Sequence, residues 1–232
     1  MRIKVIIPNT SEEFVDGFNS IRKSLVVSDI NVEFDVVCLK GGPVSLETGL
    51  DEGQAISHLI EEVIKANDER FDAITIDCAA DPGSQALKEI SDIPVVFAGE
   101  SSYYYAMNLS RKFSLITVIE NTKALNENNI NKYCIKNRIA SVRSANVPVL
   151  DVQDERKSYN AILIEARKAI EEDGAQAIVL GCTGMSLLVE KLQNDLGVPV
   201  IDPRRSAIHM AISLVSMKLS QSKVAYMKPP LK

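Results

Sequence analysis

One segment of this chain is written twice. Asp72-Ala73-Ile74-Thr75-Ile76-Asp77-Cys78 can be laid over Gln176-Ala177-Ile178-Val179-Leu180-Gly181-Cys182. Each copy is a short apolar run ending in cysteine, followed by a helical stretch and then by Ile93-Pro94-Val95-Val96 or Val198-Pro199-Val200-Ile201. The Cys-to-Pro distance is 16 positions in the first copy (94 − 78) and 17 in the second (199 − 182). A second echo lies upstream, where Ile7-Pro8-Asn9-Thr10 and Ile119-Glu120-Asn121-Thr122 both end a strand-like run with Asn-Thr. Two half-chains of related design account for both.

The rest of the chain supplies the elements such halves need. Val5 to Ile7, Val32 to Leu39, Ala73 to Ile76, Pro94 to Phe97, Phe113 to Ile119, Ala177 to Leu180 and Pro199 to Ile201 read as strands. Gln54 to Ala66, Ser158 to Glu172, Ser186 to Leu196 and Ser206 to Leu219 read as helices, with Leu59, Val63 and Ala66 at helical spacing. Strands alternating with helices favour a mostly parallel sheet, and continuous apolar strands favour one covered on both faces. The expected fold is therefore α/β with two pseudo-symmetric lobes, each a mostly parallel sheet flanked by helices, and an active site in the cleft between them. Residues 1–98 plus 206–232 are assigned to the first lobe and 99–205 to the second. The tail from Tyr226 to Lys232, with Pro229-Pro230, is expected to end irregularly.

Composition narrows the partners. The formal net charge is −5 over 232 residues, and nucleic acid or an anionic membrane would call for a basic excess. No apolar run is long enough to span a bilayer, and Met1-Arg2 leads straight into a strand without a signal-type segment. The expected setting is cytoplasmic, the expected partner a small-molecule substrate, and the expected assembly a homo-oligomer. Cys38, Cys78, Cys134 and Cys182 form no CxxC pair, and the two histidines, His58 and His209, lie far from any cysteine in sequence. Neither a disulfide scaffold nor a structural metal site is expected. With no Gly-rich phosphate loop or Schiff-base lysine motif, no cofactor is expected either.

Cys78 and Cys182 are the residues with chemical promise. Both stand at the carboxyl end of a buried strand just before a helix, where open α/β sheets bind ligands. After Cys78, Asp81 suits an N-cap and Pro82 a first helical position; after Cys182, Thr183 or Gly184 can play the entry role. Helix-start N–H groups favour a thiolate there. Cys38 and Cys134 have no counterpart in the repeat and are read as structural. Paired acids across a cleft suit racemisation, which removes a proton from one face of a carbon and returns one to the other. The resulting enolate needs hydrogen-bond donors, and Asn9, Thr10, Thr117, Thr122 and Thr183 sit at strand ends.

The ordered motifs resemble those of hydantoin and allantoin racemases, within the Asp/Glu racemase superfamily. They are Ile7-Pro8-Asn9-Thr10-Ser11, Gly42-Pro43-Val44-Ser45-Leu46-Glu47, Cys78-Ala79-Ala80-Asp81-Pro82-Gly83, Leu180-Gly181-Cys182-Thr183-Gly184-Met185 and Gly197-Val198-Pro199-Val200-Ile201-Asp202. The resemblance implies a two-lobed α/β enzyme with Cys78 and Cys182 as catalytic thiols and neither metal nor pyridoxal phosphate. It also directs Pro43, Ala79, Ala80 and Gly184 to the substrate. Two positions depart from the pattern: Ala79 stands where hydantoin racemases often carry an aromatic, and Cys182-Thr183 follows the amino-acid racemases. An Asp/Glu-type racemase and an arylmalonate-decarboxylase-like enzyme are the neighbouring readings. A non-catalytic small-molecule binding protein is the reading from a different class.

Overall fold

A computed structural model describes residues 1–25 and 30–230. Residues 231 and 232, the end of the tail assigned above to the first lobe, lie outside the described residues. The elements run β1 (Arg2–Ile7), α1 (Glu13–Ile21), β2 (Glu33–Cys38), α2 (Gly49–Asp68), β3 (Ala73–Ile76), α3 (Ser84–Ile90), β4 (Val95–Phe97) and α4 (Ala98–Leu109). They continue as β5 (Phe113–Thr117), α5 (Glu120–Lys132), β6 (Ile139–Ser144), α6 (Glu155–Glu171), β7 (Ile178–Leu180), α7 (Val189–Leu196), β8 (Val200–Ile201) and α8 (Pro203–Ser216).

The strands form two parallel four-stranded sheets with the same order, β2-β1-β3-β4 and β6-β5-β7-β8. Strands β1, β3, β5 and β7 are buried almost throughout, as their apolar runs require. The register shows how closely the halves correspond. Ile6 pairs with Ile76 in one sheet and Ile116 with Leu180 in the other. Cys78 and Cys182 therefore each stand two residues beyond an equivalent pairing. The upstream echo is offset: Asn9 lies three residues past Ile6, and the matching residue past Ile116 is Ile119, not Asn121. Asn121 and Thr122 belong to the first turn of α5 instead of a strand-ending turn.

The helices that follow β4 and β8 are exchanged. Helix α8 packs on β3 and β4, and its Ala207, Ile208, Ala211 and Ile212 join Ile3, Val5 and Phe18 in the first sheet's core. Helix α4 packs on β7 and β8, with Tyr103 and Ala106 against Phe113, Leu115 and Val179. The two helices also pack on each other, so the lobes share an interdigitated seam. Strand β6 is absent from the sequence-based reading. Ile139-Ala140-Ser141-Val142-Arg143-Ser144 is half-buried along an edge and carries polar residues, so it lacks the continuous apolar signature of its neighbours.

Candidate active site

The thiols stand where each sheet's central strands stop. Thr117 ends β5 on one side, and Ile76 and Leu180 end β3 and β7, so the chain turns out of each sheet over a shared cleft. There Pro8, Asn9, Phe14, Leu46, Asp77, Cys78, Ala79, Ala80, Val118, Thr122, Leu125, Asn126, Val149, Gly181, Cys182 and Thr183 enclose one cavity.

Seven of the residues expected from sequence line this cavity: Asn9, Cys78, Ala79, Ala80, Thr122, Cys182 and Thr183. Four do not. Thr10 and Pro43 lie outside it and bond each other, Thr10 donating from N (2.9 Å) and Oγ1 (3.3 Å) to the Pro43 carbonyl. Thr117 sits behind Thr122, their hydroxyls 2.7 Å apart, and accepts from Asn126 Nδ2 at 3.1 Å. Gly184 lies against the wall: a Cβ there would stand 2.5 Å from Val152 Cγ1 and 3.2 Å from Phe14 Cε1. Its lack of a side chain lets Phe14 approach the Cys182 turn.

The loops after the two cysteines differ from the expected capping. Asp81 does not cap α3, which begins at Ser84 after Gly83, and Pro82 precedes the helix. Asp81 has φ +53° and turns to the other helix, accepting from Gly99 N and Glu100 N at 2.7 Å each, in the first turn of α4. The unbonded N–H groups at the start of α4, near the lobe seam, were the stronger claim on its carboxylate. After Cys182 the chain enters a 3₁₀ turn over Thr183–Leu188 before α7. Cys38 ends β2, and Cys134 follows α5, exposed at φ +56°. Neither lines the cavity.

Burial pushes the Cys78 thiol well above the ordinary cysteine range. A backbone hydrogen bond from Ala80 opposes this, and the charges of Cys182, Asp81 and Asp77 add to it. Burial likewise pushes Cys182 up to about 11. Its backbone bond from Gly184 and the Arg204 guanidinium pull it down, while Asp77 and Glu47 push it up. Desolvation thus outweighs the helix-start effect expected from sequence. Ionising one thiol also disfavours ionising the other, so the pair favours one charge at a time.

Three features escaped the sequence. Asp77 lines the cavity and is buried against Arg204 of α8, which donates from Nε (3.1 Å) and Nη2 (2.8 Å). An acid closing an apolar strand was a signal, since a buried carboxylate requires a partner. Asn126 lines the cavity one helical turn beyond Thr122. Phe14, Leu46 and Val149 form its apolar walls. Among the described residues no group of three or more His, Cys, Asp and Glu side chains could hold a metal ion, and no helix is long and apolar enough to cross a membrane.

Comparison with known proteins agrees with this architecture. Residues 3–211 match the family described as Asp/Glu/Hydantoin racemase. A hydantoin racemase of Pseudomonas sp. (strain NS671) is 37% identical over 233 residues, covering 100% of this chain and 93% of that protein. The structure of an allantoin racemase from Klebsiella pneumoniae superposes with a TM-score of 0.94 at 30% identity, over 100% of this chain and 95% of the other. An allantoin racemase from Pseudomonas fluorescens gives a TM-score of 0.93 at 30% identity, over 100% and 98%. With family and fold in agreement, this chain is an isomerase belonging to the Asp/Glu/hydantoin racemase family.

Proposed function

We propose that this enzyme racemises a 5-substituted hydantoin or an allantoin-like substrate without a cofactor, using Cys78 and Cys182 as paired acid and base. The observation that carries this reading is the placement of two thiols at equivalent register positions on opposite lobes, lining one cavity. In one direction a thiolate removes the hydrogen from carbon 5. An S–H bond forms, the C–H bond breaks, and its electron pair passes into the adjacent carbonyl as an enolate. The second thiol then gives its proton to the opposite face of that carbon and becomes the thiolate. The reverse direction exchanges the two roles, so atoms and charge balance in each.

The enolate takes its hydrogen bonds from donors around the cavity. Asn9 has its Oδ1 engaged by the Ser11 N–H at 3.0 Å, which leaves Nδ2 as its donor. Ala79 and Ala80 leave room beside Cys78 for the carbon-5 substituent. Thr117 supports Thr122 from behind, Gly184 lets Phe14 close on the Cys182 turn, and Thr10 and Pro43 brace each other outside the cavity. The names of the similar racemases support the substrate class.

The test is loss of optical rotation from single enantiomers of 5-substituted hydantoins and of allantoin in deuterium oxide, with EDTA present. Racemisation accompanied by solvent deuterium at carbon 5 is expected. Turnover of aspartate or glutamate alone would overturn the substrate assignment, and activity that EDTA abolishes and zinc restores would overturn the cofactor-free chemistry.

A further inference from the structure

The turn that carries Cys78 is held by helices that pack on the opposite sheet. Asp81 N donates to the Cys78 carbonyl at 3.2 Å, closing a turn over Cys78-Ala79-Ala80-Asp81. Asp81 sits at φ +53°, a left-handed conformation that a bulky residue keeps only where its surroundings impose it. Here α4 and α5, which pack on the second sheet, impose it. Gly99 N and Glu100 N of α4 donate to the Asp81 carboxylate at 2.7 Å each. Tyr133 Oη, at the C-terminal end of α5, donates to Asp81 Oδ2 at 2.9 Å. One turn earlier on α5, the buried Asn129 donates from Nδ2 to the Ala80 carbonyl at 2.8 Å. The turn after Cys182 is built differently. Met185 N donates to the Cys182 carbonyl at 3.2 Å within the 3₁₀ turn. Among the described residues, none from 182 to 188 has a positive φ.

We infer that Asn129 is a positioning residue for Cys78: gripping the Ala80 carbonyl, with Tyr133 beside it on Asp81, it fixes the aim of that thiol and not of Cys182. This rests on the two-thiol reading proposed above. Cys78 and Ala80 both line the cavity, so the carbonyl that Asn129 holds belongs to the same short turn as the sulfur. Thr122, Leu125 and Asn126 line the cavity from the same helix, which thus walls the substrate's space and holds one thiol's turn at once. Without its donor the Ala80 carbonyl is left unpaired, and the peptide is free to turn toward another partner. A small misplacement of the sulfur against the substrate carbon is costly in rate. Among the described residues, neither Asn129 nor Tyr133 hydrogen-bonds to the turn after Cys182, which is tied instead through Thr183 to the Asp77 carbonyl.

The test is deuterium exchange by each thiol alone, in the full-length protein. In Cys182→Ser the Cys78 thiolate takes the hydrogen from carbon 5, the S–H exchanges with deuterium oxide, and a deuteron returns to the same face. Cys78→Ser leaves Cys182 to do the same for the other enantiomer. Single enantiomers of 5-benzylhydantoin and of allantoin are the probes, with label read by mass spectrometry after chiral chromatography. Added to Cys182→Ser, Asn129→Leu should slow exchange about tenfold or more; added to Cys78→Ser, it should change exchange by less than about twofold. Should Asn129→Leu fail to fold, Tyr133→Phe, which removes one hydroxyl, takes its place with the same contrast at about threefold. Equal slowing in the two backgrounds would mark a general loss of packing and overturn the inference, and so would exchange through Cys78 that is not slowed. With both thiols present, the variant should raise exchange without inversion, relative to racemisation, for one enantiomer only, the one that Cys78→Ser labels. A rise for both enantiomers or for neither also overturns it. Failure of the two-thiol reading shows differently, as racemisation retained when either cysteine is replaced with Asn129 intact.

Discussion

The hydroxyl of Thr183 donates to the carbonyl of Asp77 across the lobe boundary at 3.1 Å, so the residue after one cysteine grips the residue before the other. Both partners are buried. The bond ties the two strand ends together beside the cavity that both residues line.

Thr183→Val should therefore cost about 1–3 kcal/mol of stability by leaving a buried carbonyl unpaired. It should also lower kcat more than it raises KM, because the loss is in alignment of the thiols. Thr183→Ser should restore most of both. Urea unfolding and steady-state polarimetry on the three proteins measure this. Equal kcat in Thr183→Val and wild type would show that the strand ends hold register without the bond.

Replacing Cys78 by Ser, or Cys182 by Ser, should each reduce racemisation by about a thousandfold or more. The remaining thiol can still exchange the hydrogen of one enantiomer with solvent deuterium while leaving its configuration unchanged. The two variants should label opposite enantiomers, which chiral chromatography with mass spectrometry resolves. Cys38→Ala and Cys134→Ala should stay active. Full racemase activity in either serine variant would refute the two-base mechanism.

Activity should rise toward alkaline pH. Burial, only partly offset by the Gly184 N–H and Arg204, holds Cys182 at about 11, so at neutral pH only a small fraction of enzyme carries a thiolate. Between about pH 7 and pH 9, kcat/KM should climb with a log slope near one, as the thiolate fraction grows. A profile flat over this range would mean that the reacting base is already ionised at neutral pH.

Gly184→Ala and Gly197→Ala should separate function from stability. The Cβ of the first would press on Val152 and Phe14 and stand 3.5 Å from Cys182 Sγ. Since Phe14 lines the cavity, kcat/KM should fall about tenfold or more, together with a stability loss of about 1–3 kcal/mol. Gly197 ends α7 at φ +68° in open space, so alanine there costs only backbone strain, about 1 kcal/mol, and leaves kcat/KM unchanged. Kinetics and thermal melting of both variants check the contrast.

Asp81 should make the fold less stable as pH rises through neutrality. Burial first, and then the Glu100 charge, push its carboxyl up to about 7, against the hydrogen bonds from Tyr133, Gly99 and Glu100. The folded state therefore keeps a proton that the unfolded chain releases near pH 4, so stability falls between about pH 4 and pH 7 and is lowest above that window. Urea midpoints across this range should show that decline in the wild type, with Asp81→Asn lacking this part of it. Parallel curves for the two proteins would contradict it.

The repeat around the cysteines was legible because a central parallel strand leaves little freedom. Ile76 and Leu180 must be apolar to be covered on both faces, and the residue two places on must leave the sheet. Strand β6 was not legible, because Ser141 and Arg143 serve an edge where polar side chains are tolerated. The capping role of Asp81 was misread for a related reason. Local spacing pointed to α3, but a long-range demand from Gly99 and Glu100 took its carboxylate. Arg204 lies 127 positions from Asp77, a distance over which no local pattern operates; only the need of a buried acid for a partner could have announced it.

The exchange of α4 and α8 between the sheets has a consequence for how the chain reaches its native state. The first sheet is spelled out by residue 97, and α1 covers part of one face with Phe18 and Ile21, yet the rest of that face, over β3 and β4, waits until Ala207 to Ile212 have been made and have travelled back to cover it. Meanwhile α4, which follows at once, lays its apolar side on strands synthesised later. During synthesis the first half thus waits with exposed apolar surface, and its closure depends on contacts between residues some two hundred positions apart. The exchanged helices tie the duplicated halves into one packed body, and severing the chain between α4 and β5 should leave two fragments that become native only together.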